Sequence, residues 1–157
     1  MAHQMQDSLC GKRGNPLSKL AICLTGHRPN KLDGYNHSPF YQRLEDSLFD
    51  FIISKCKEYS EVECSSGLAL GADTYWSRAI LRARKVYPDK VKFHCHIPNR
   101  MQYKTWFVKN DIDFWHYQIK EADMITCIDE EMKMSAGQAL NARNATMVNC
   151  SDIVLAV

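Results

Sequence analysis

The sequence predicts an α/β domain built on a largely parallel, five-stranded sheet. Short apolar runs alternate along the chain with longer stretches of helical periodicity, the pattern of strand–helix–strand units. The clearest runs stop abruptly, at Gly26 and at Pro98, as buried strands do when they enter a loop. With 157 residues, 45% hydrophobic and 24% charged, the chain is large enough for one domain with a proper core.

The elements follow in order. Residues 1–19 are polar, carry Lys12, Arg13 and Lys19, and lack an apolar stretch, so they read as a flexible extension and not as a secretory signal. The domain is expected over 20–157. Residues 20–25 suit a strand buried on both faces. Phe40, Leu44, Leu48, Phe51, Ile52 and Tyr59 recur at helical spacing, so 39–59 predicts an amphipathic helix opened by Ser38-Pro39. A shorter strand is expected at 62–65. Ala72, Trp76, Ala79, Ile80, Ala83 and Val86 then mark a helix closed near Pro88. Residues 91–97 form the third strand. The aromatic pattern of Tyr103, Trp106, Phe107, Phe114 and Trp115 predicts one helix over 102–121. A fourth strand at 124–128, a weaker helix over 135–148 and a fifth strand at 153–157 complete the chain.

Composition bounds the function. No run of about 18 apolar residues exists, so no membrane span is expected. A net charge of +2 is slight and argues against nucleic acid as a partner. The basic stretch 78–92, with Arg78, Arg82, Arg84, Lys85, Lys90 and Lys92 against Asp89, reads as a solvated helix face, with nucleic-acid contact as the alternative. Seven cysteines, at 10, 23, 56, 64, 95, 127 and 150, are odd in number and form no C-x-x-C, the usage of free thiols in a reducing cytoplasm.

In a parallel sheet with right-handed crossovers, every strand-to-helix loop emerges at one end, where ligands bind near the topological switch point. Thr25, Gly26, His27 and Arg28 fall there. The turn could offer backbone N–H groups to a phosphate, Arg28 a planar fork and His27 a hydrogen bond to ribose or base. Alternatively it is a surface turn with Arg28 in a salt bridge. Residues 65–73, Ser-Ser-Gly-Leu-Ala-Leu-Gly-Ala-Asp, place Gly67 and Gly71 between a strand and a helix N-terminus, an anion-binding arrangement matching neither G-x-G-x-x-G nor the P-loop. Asp73 is either a helix-end acceptor or a ligand contact. Gln102 and Trp106 are one turn apart on the expected helix, with Trp106 either core or a platform for a base. Arg143 and Asn144 brace the sheet edge or touch ligand. His94 and His96 lack further ligands at metal-site spacing, so no metal is expected.

Taken together, T-G-H-R-P, G-x-x-x-G-A-D, P-x-x-x-Q-x-x-x-W, E-A-D before the fourth strand and R-N-x-x-M-V-x-x-S-D-x-x-x-A-V resemble the YpsA-like branch of the SLOG superfamily, named for the Smf/DprA and Lonely-guy proteins. The resemblance runs from Leu20 to Val157. It implies a Rossmann-like, open, mainly parallel five-stranded sheet with helices on both faces and a pocket for a nucleotide or nucleotide derivative. By that resemblance Thr25, Gly26, His27 and Arg28 form the first ligand loop, and Gly67, Gly71, Ala72 and Asp73 the second; no cofactor is implied. Relatives include hydrolases of nucleoside monophosphates, single-stranded DNA binders and sensors of nucleotide signals in phage defence. Members continue past the A-V strand into a Gly-Gly-Thr loop and a closing helix, whereas this sequence stops at Val157 and lacks P-G-G-x-G-T-x-x-E. The function expected is therefore binding or sensing of a nucleotide or nucleotide-derived signal. N-glycosidic hydrolysis through Asp73 and single-stranded DNA binding are the alternatives. A fifth strand without a following helix also leads to an expectation of self-association.

Overall fold

The computed structural model describes residues 18–157. Residues 1–17, most of the expected extension, lie outside the described residues, and Lys19 already opens the first strand. The elements run β1 (Lys19–Thr25), α1 (Pro39–Glu58), β2 (Glu61–Ser66), α2 (Ala72–Val86), β3 (Val91–Ile97), α3 (Lys109–Glu121), β4 (Met124–Cys127), α4 (Ala136–Asn149) and β5 (Ile153–Ala156). All strand pairings are parallel, in the order β4-β3-β2-β1-β5. This is a Rossmann-like α/β fold.

Handedness distributes the helices. The chain steps in one direction from β1 to β4, so right-handed crossovers put α1, α2 and α3 on one face; the return to β5 takes α4 across the other. Leu20, Ile22, Leu24, Val62, Cys64, Val91, Phe93, Cys95 and Ile97 point to the three-helix face and pack against Ile52, Trp76, Ala79, Ile80 and Ala83. Side chains alternate along a strand, so Cys23, Ser65, His94 and His96 turn to the α4 face.

Helix ends obey local rules. Pro39 opens α1 behind Ser38, whose Oγ accepts a hydrogen bond from the Tyr41 N–H at 3.4 Å. Ser135 and Gln138 close a capping box at the start of α4.

Two sequence-based expectations are corrected. The basic stretch on α2 is not a free face. Arg78 and Arg82 both form ion pairs with the buried Glu45 carboxylate, at 2.8 and 2.9 Å, and Arg84 pairs with Glu121 at 2.8 Å. The arginines knit α1, α2 and α3 together, and a buried carboxylate such as Glu45 needs that pairing. The second correction concerns 102–121, which is not one helix. Gln102–Thr105 is a 3-10 turn, Trp106 and Val108 are extended, and α3 begins only at Lys109. Trp106 and Phe107 therefore lie on an irregular segment in place of a helix face.

Candidate functional site

The loops after β1 and β2 are bound to each other. The Ala72 N–H donates to His27 O at 3.2 Å, and the His27 N–H donates to Val157 O at 3.0 Å. Gly71 has φ +101, and a Cβ there would meet His27 O and the Arg28 backbone. Only glycine permits both the conformation and the approach. Gly26 is equally tight, since a Cβ would run into the Ala72 side chain. These residues hold two loops in register, and two of the amides expected for phosphate are already engaged.

Below the second loop lies a buried lock. Asp73 Oδ2 accepts from the Ala69 N–H at 3.2 Å, and the Leu68 N–H donates to Ser66 Oγ at 3.3 Å. Burial pushes the Asp73 carboxyl above the usual range, opposed by the Arg143 guanidinium and the Ala69 N–H. Arg143, 5% exposed on α4, donates to Gly67 O. Gln102 is fixed at both ends: its Nε2 donates to the same Gly67 O at 3.0 Å, and its Oε1 accepts from Trp115 Nε1 at 3.1 Å. Two side chains from different elements, Arg143 on α4 and Gln102 on the 3-10 turn, thus converge on one loop carbonyl. Beside them, His96 is 1% exposed with neither ring nitrogen bonded; its ring lies 3.9 Å from that of His94. Burial, with His94 and Arg143 nearby, lowers its pKa to about 4. Among the described residues no three His, Cys, Asp or Glu side chains group as metal ligands.

Above this lock opens a cleft of about 610 Å³, built by the loops after β1, β2, β3 and β4. Its volume falls in the usual range for small-ligand sites, about 300–1,000 Å³. Arg28 and Tyr35 come from the first loop, Lys104, Trp106 and Phe107 from the third, and Asp111 from the first turn of α3. Tyr35 is 70% exposed and Phe107 99% exposed. The fourth loop is shaped by the buried Asp129, whose carboxylate accepts from the Lys133 and Met134 N–H groups at 2.9 and 2.8 Å. That turn brings Met132 to the rim.

Of the residues the sequence singled out, Arg28, Gln102 and Trp106 line the cleft. Gly71 lines a smaller adjoining hollow. Thr25, Gly26 and His27 are exposed outside the cleft wall; Gly67, Ala72, Asp73 and Arg143 are buried behind it. Asn144 is exposed and its Oδ1 accepts from Arg143 Nε at 3.0 Å. Sequence reasoning missed Tyr35, Lys104 and Asp111 as lining residues. Phe107 shares helical spacing with Tyr103 and Phe114, so the sequence gives no local signal that it stands outside the helix.

No protein-family profile matches the chain, and no curated protein matches it either. Among solved structures, the chain is similar to DNA processing protein A from Helicobacter pylori, described for its unique single-stranded DNA binding mode. The TM-score is 0.53 at 18% identity, covering 90% of this chain and 53% of that protein. The likeness establishes the fold alone. This chain spans about half the length of that neighbour, which belongs to the Smf/DprA side of the superfamily named above. The finding overturns the expectation that the slight net charge argues against nucleic acid, because this sheet architecture serves a single-stranded DNA binder of such kind. Net charge was the wrong observable: binding depends on where unpaired cations and stacking surfaces lie. No described helix is long and apolar enough to cross a membrane.

Proposed function

We propose that this domain binds single-stranded nucleic acid by taking a nucleotide unit into the cleft at the carboxyl edge of the sheet. One observation carries the reading: the exposed Tyr35 and Phe107 and the half-buried Trp106 share the cleft with cations that form no ion pair among the described residues. Tyr35, Trp106 and Phe107 line or rim the cleft together with Arg28 and Lys104. Neither cation takes part in an ion pair among the described residues. Aromatic faces for bases and cations for phosphates are the two elements of a single-strand site, each stacked base contributing about 1–3 kcal/mol. The neighbour's described DNA binding supports the same reading.

A second reading, a free nucleotide or nucleotide-derived signal as in the YpsA-like branch, is favoured by the bounded volume of the cleft. Hydrolysis has less support, because Asp73 sits in the buried lock and not in the cleft. A fluorescein-labelled dT12 titrated between about 50 and 200 mM salt tests the proposal. Two cations on phosphates give a slope of roughly −1.4 in log K against log salt. No anisotropy change up to about 100 µM protein contradicts it, that being the weak end of non-specific binding. Displacement by dTMP at stoichiometric amounts would transfer the assignment to the second reading.

A further inference from the structure

Among the described residues Asp111 is the cleft's sole lining carboxylate, and it stands between the cleft and the smaller hollow beside Gly71 and Tyr75. Its carboxylate makes no ion pair among the described residues, and burial alone raises its pKa. An acid in the first turn of a helix ordinarily complements the dipole from the solvent side. Asp113, two residues on, is solvent-exposed and pairs with Lys109 at 2.5 Å. Asp111 instead faces inward, where desolvation disfavours its charge. An unpartnered acceptor held at the wall of a ligand cleft is disposed toward donors on the ligand.

We propose that Asp111 is a specificity-determining residue that selects guanine in the cleft; the inference rests on reading the cleft as a nucleotide site. A carboxylate is acceptor-only, with two oxygens side by side. Of the four DNA bases, guanine alone presents two adjacent donors, N1–H and N2–H, on its Watson–Crick edge. Adenine and cytosine offer one amino donor next to a ring acceptor. Thymine offers one N–H between two carbonyls that repel a carboxylate. Single-stranded bases are read on that edge while stacked on aromatic side chains. Trp106 and Phe107 lie directly before the helix whose first turn carries Asp111, so stacking surface and acceptor belong to one wall. Arg28 and Lys104 are left for the phosphate.

The test compares dT12 with the same strand carrying one central dG, deoxyinosine, dA or dC. A bidentate contact discriminates bases by about ten- to a hundredfold. The dG strand should bind tighter than dT12 by that factor, with deoxyinosine, which lacks the N2 amino group, in between. In Asp111→Asn the dG-to-dT ratio should collapse to about one; Asp111→Glu should keep part of it. Equal affinity for dG and dT strands in the unaltered protein overturns the guanine assignment while leaving the single-strand reading intact. Binding of none of the strands overturns both. A ratio that survives Asp111→Asn assigns the preference to another group and overturns the role of Asp111.

Discussion

The carboxyl edge of the sheet has two halves that differ in how their polar groups are used. Over β1 and β2, Gly26 and Gly71 allow two loops to lie against each other, and Gln102 and Arg143 both fasten Gly67 O. Over β3, residues 98–108 run as a 3-10 turn and an extended segment, with Phe107 99% exposed. The first half satisfies most of its polar groups internally, Arg28 excepted. The second leaves Phe107 in the open and Lys104 without an ion pair among the described residues, although Trp106 packs partly against the core and Arg100 pairs with Glu130. Glycine-rich motifs in this chain mark close backbone packing, whereas the proposed stacking side chains Trp106 and Phe107 lie where the local pattern is least regular.

The largest expected effect of breaking the first half comes from Gly71→Ala. A side chain at φ +101 is strained, and its Cβ meets His27 O and the Arg28 backbone. The cost is about 3 kcal/mol or more, a fall in Tm of roughly 10 °C by thermal denaturation. An unchanged Tm would mean that the two loops are not held by this approach.

A comparable effect should come from acid. An unfolded histidine titrates near pH 6.5, whereas His96 in the folded protein does so at about 4. The folded state therefore binds fewer protons between these values. Stability is fully present above about pH 6.5 and declines by roughly 3 kcal/mol on approaching pH 4. Asp73, with its raised pKa, acts in the opposite sense, losing stability as pH rises. The difference between the unaltered protein and His96→Leu in denaturant melts at pH 7 and 4.5 isolates the histidine. Parallel profiles would refute its role.

How much of this was legible in sequence follows from the same contrast. The five strands and the helices opening at Pro39 and Ala72 announce themselves through apolar runs and helical spacing, which depend on neighbours along the chain. The break at 106–108 does not. Trp106, Phe114 and Trp115 keep a helix-like rhythm across it, because periodicity records which side chains are apolar and not whether the backbone between them is helical. Arg28, Gln102 and Trp106 were found because they belong to loops at strand ends. Tyr35, Lys104 and Asp111 were not, since nothing local distinguishes a cleft-facing tyrosine, lysine or aspartate from a solvated one. The arginines of α2 likewise look solvated until Glu45 on another helix is placed beside them.

The central claim is that the irregular segment after β3 supplies the stacking surface for the ligand, while Gly26 and Gly71 hold the loop that presents Arg28. The most direct measurement is dT12 affinity in Phe107→Ala, followed by fluorescence anisotropy at fixed salt, with Tm measured alongside. Phe107 is 99% exposed, so its removal should leave Tm unchanged. Losing one stacked base, about 1–3 kcal/mol, should weaken binding about ten- to a hundredfold. Affinity equal to that of the unaltered protein would contradict the account.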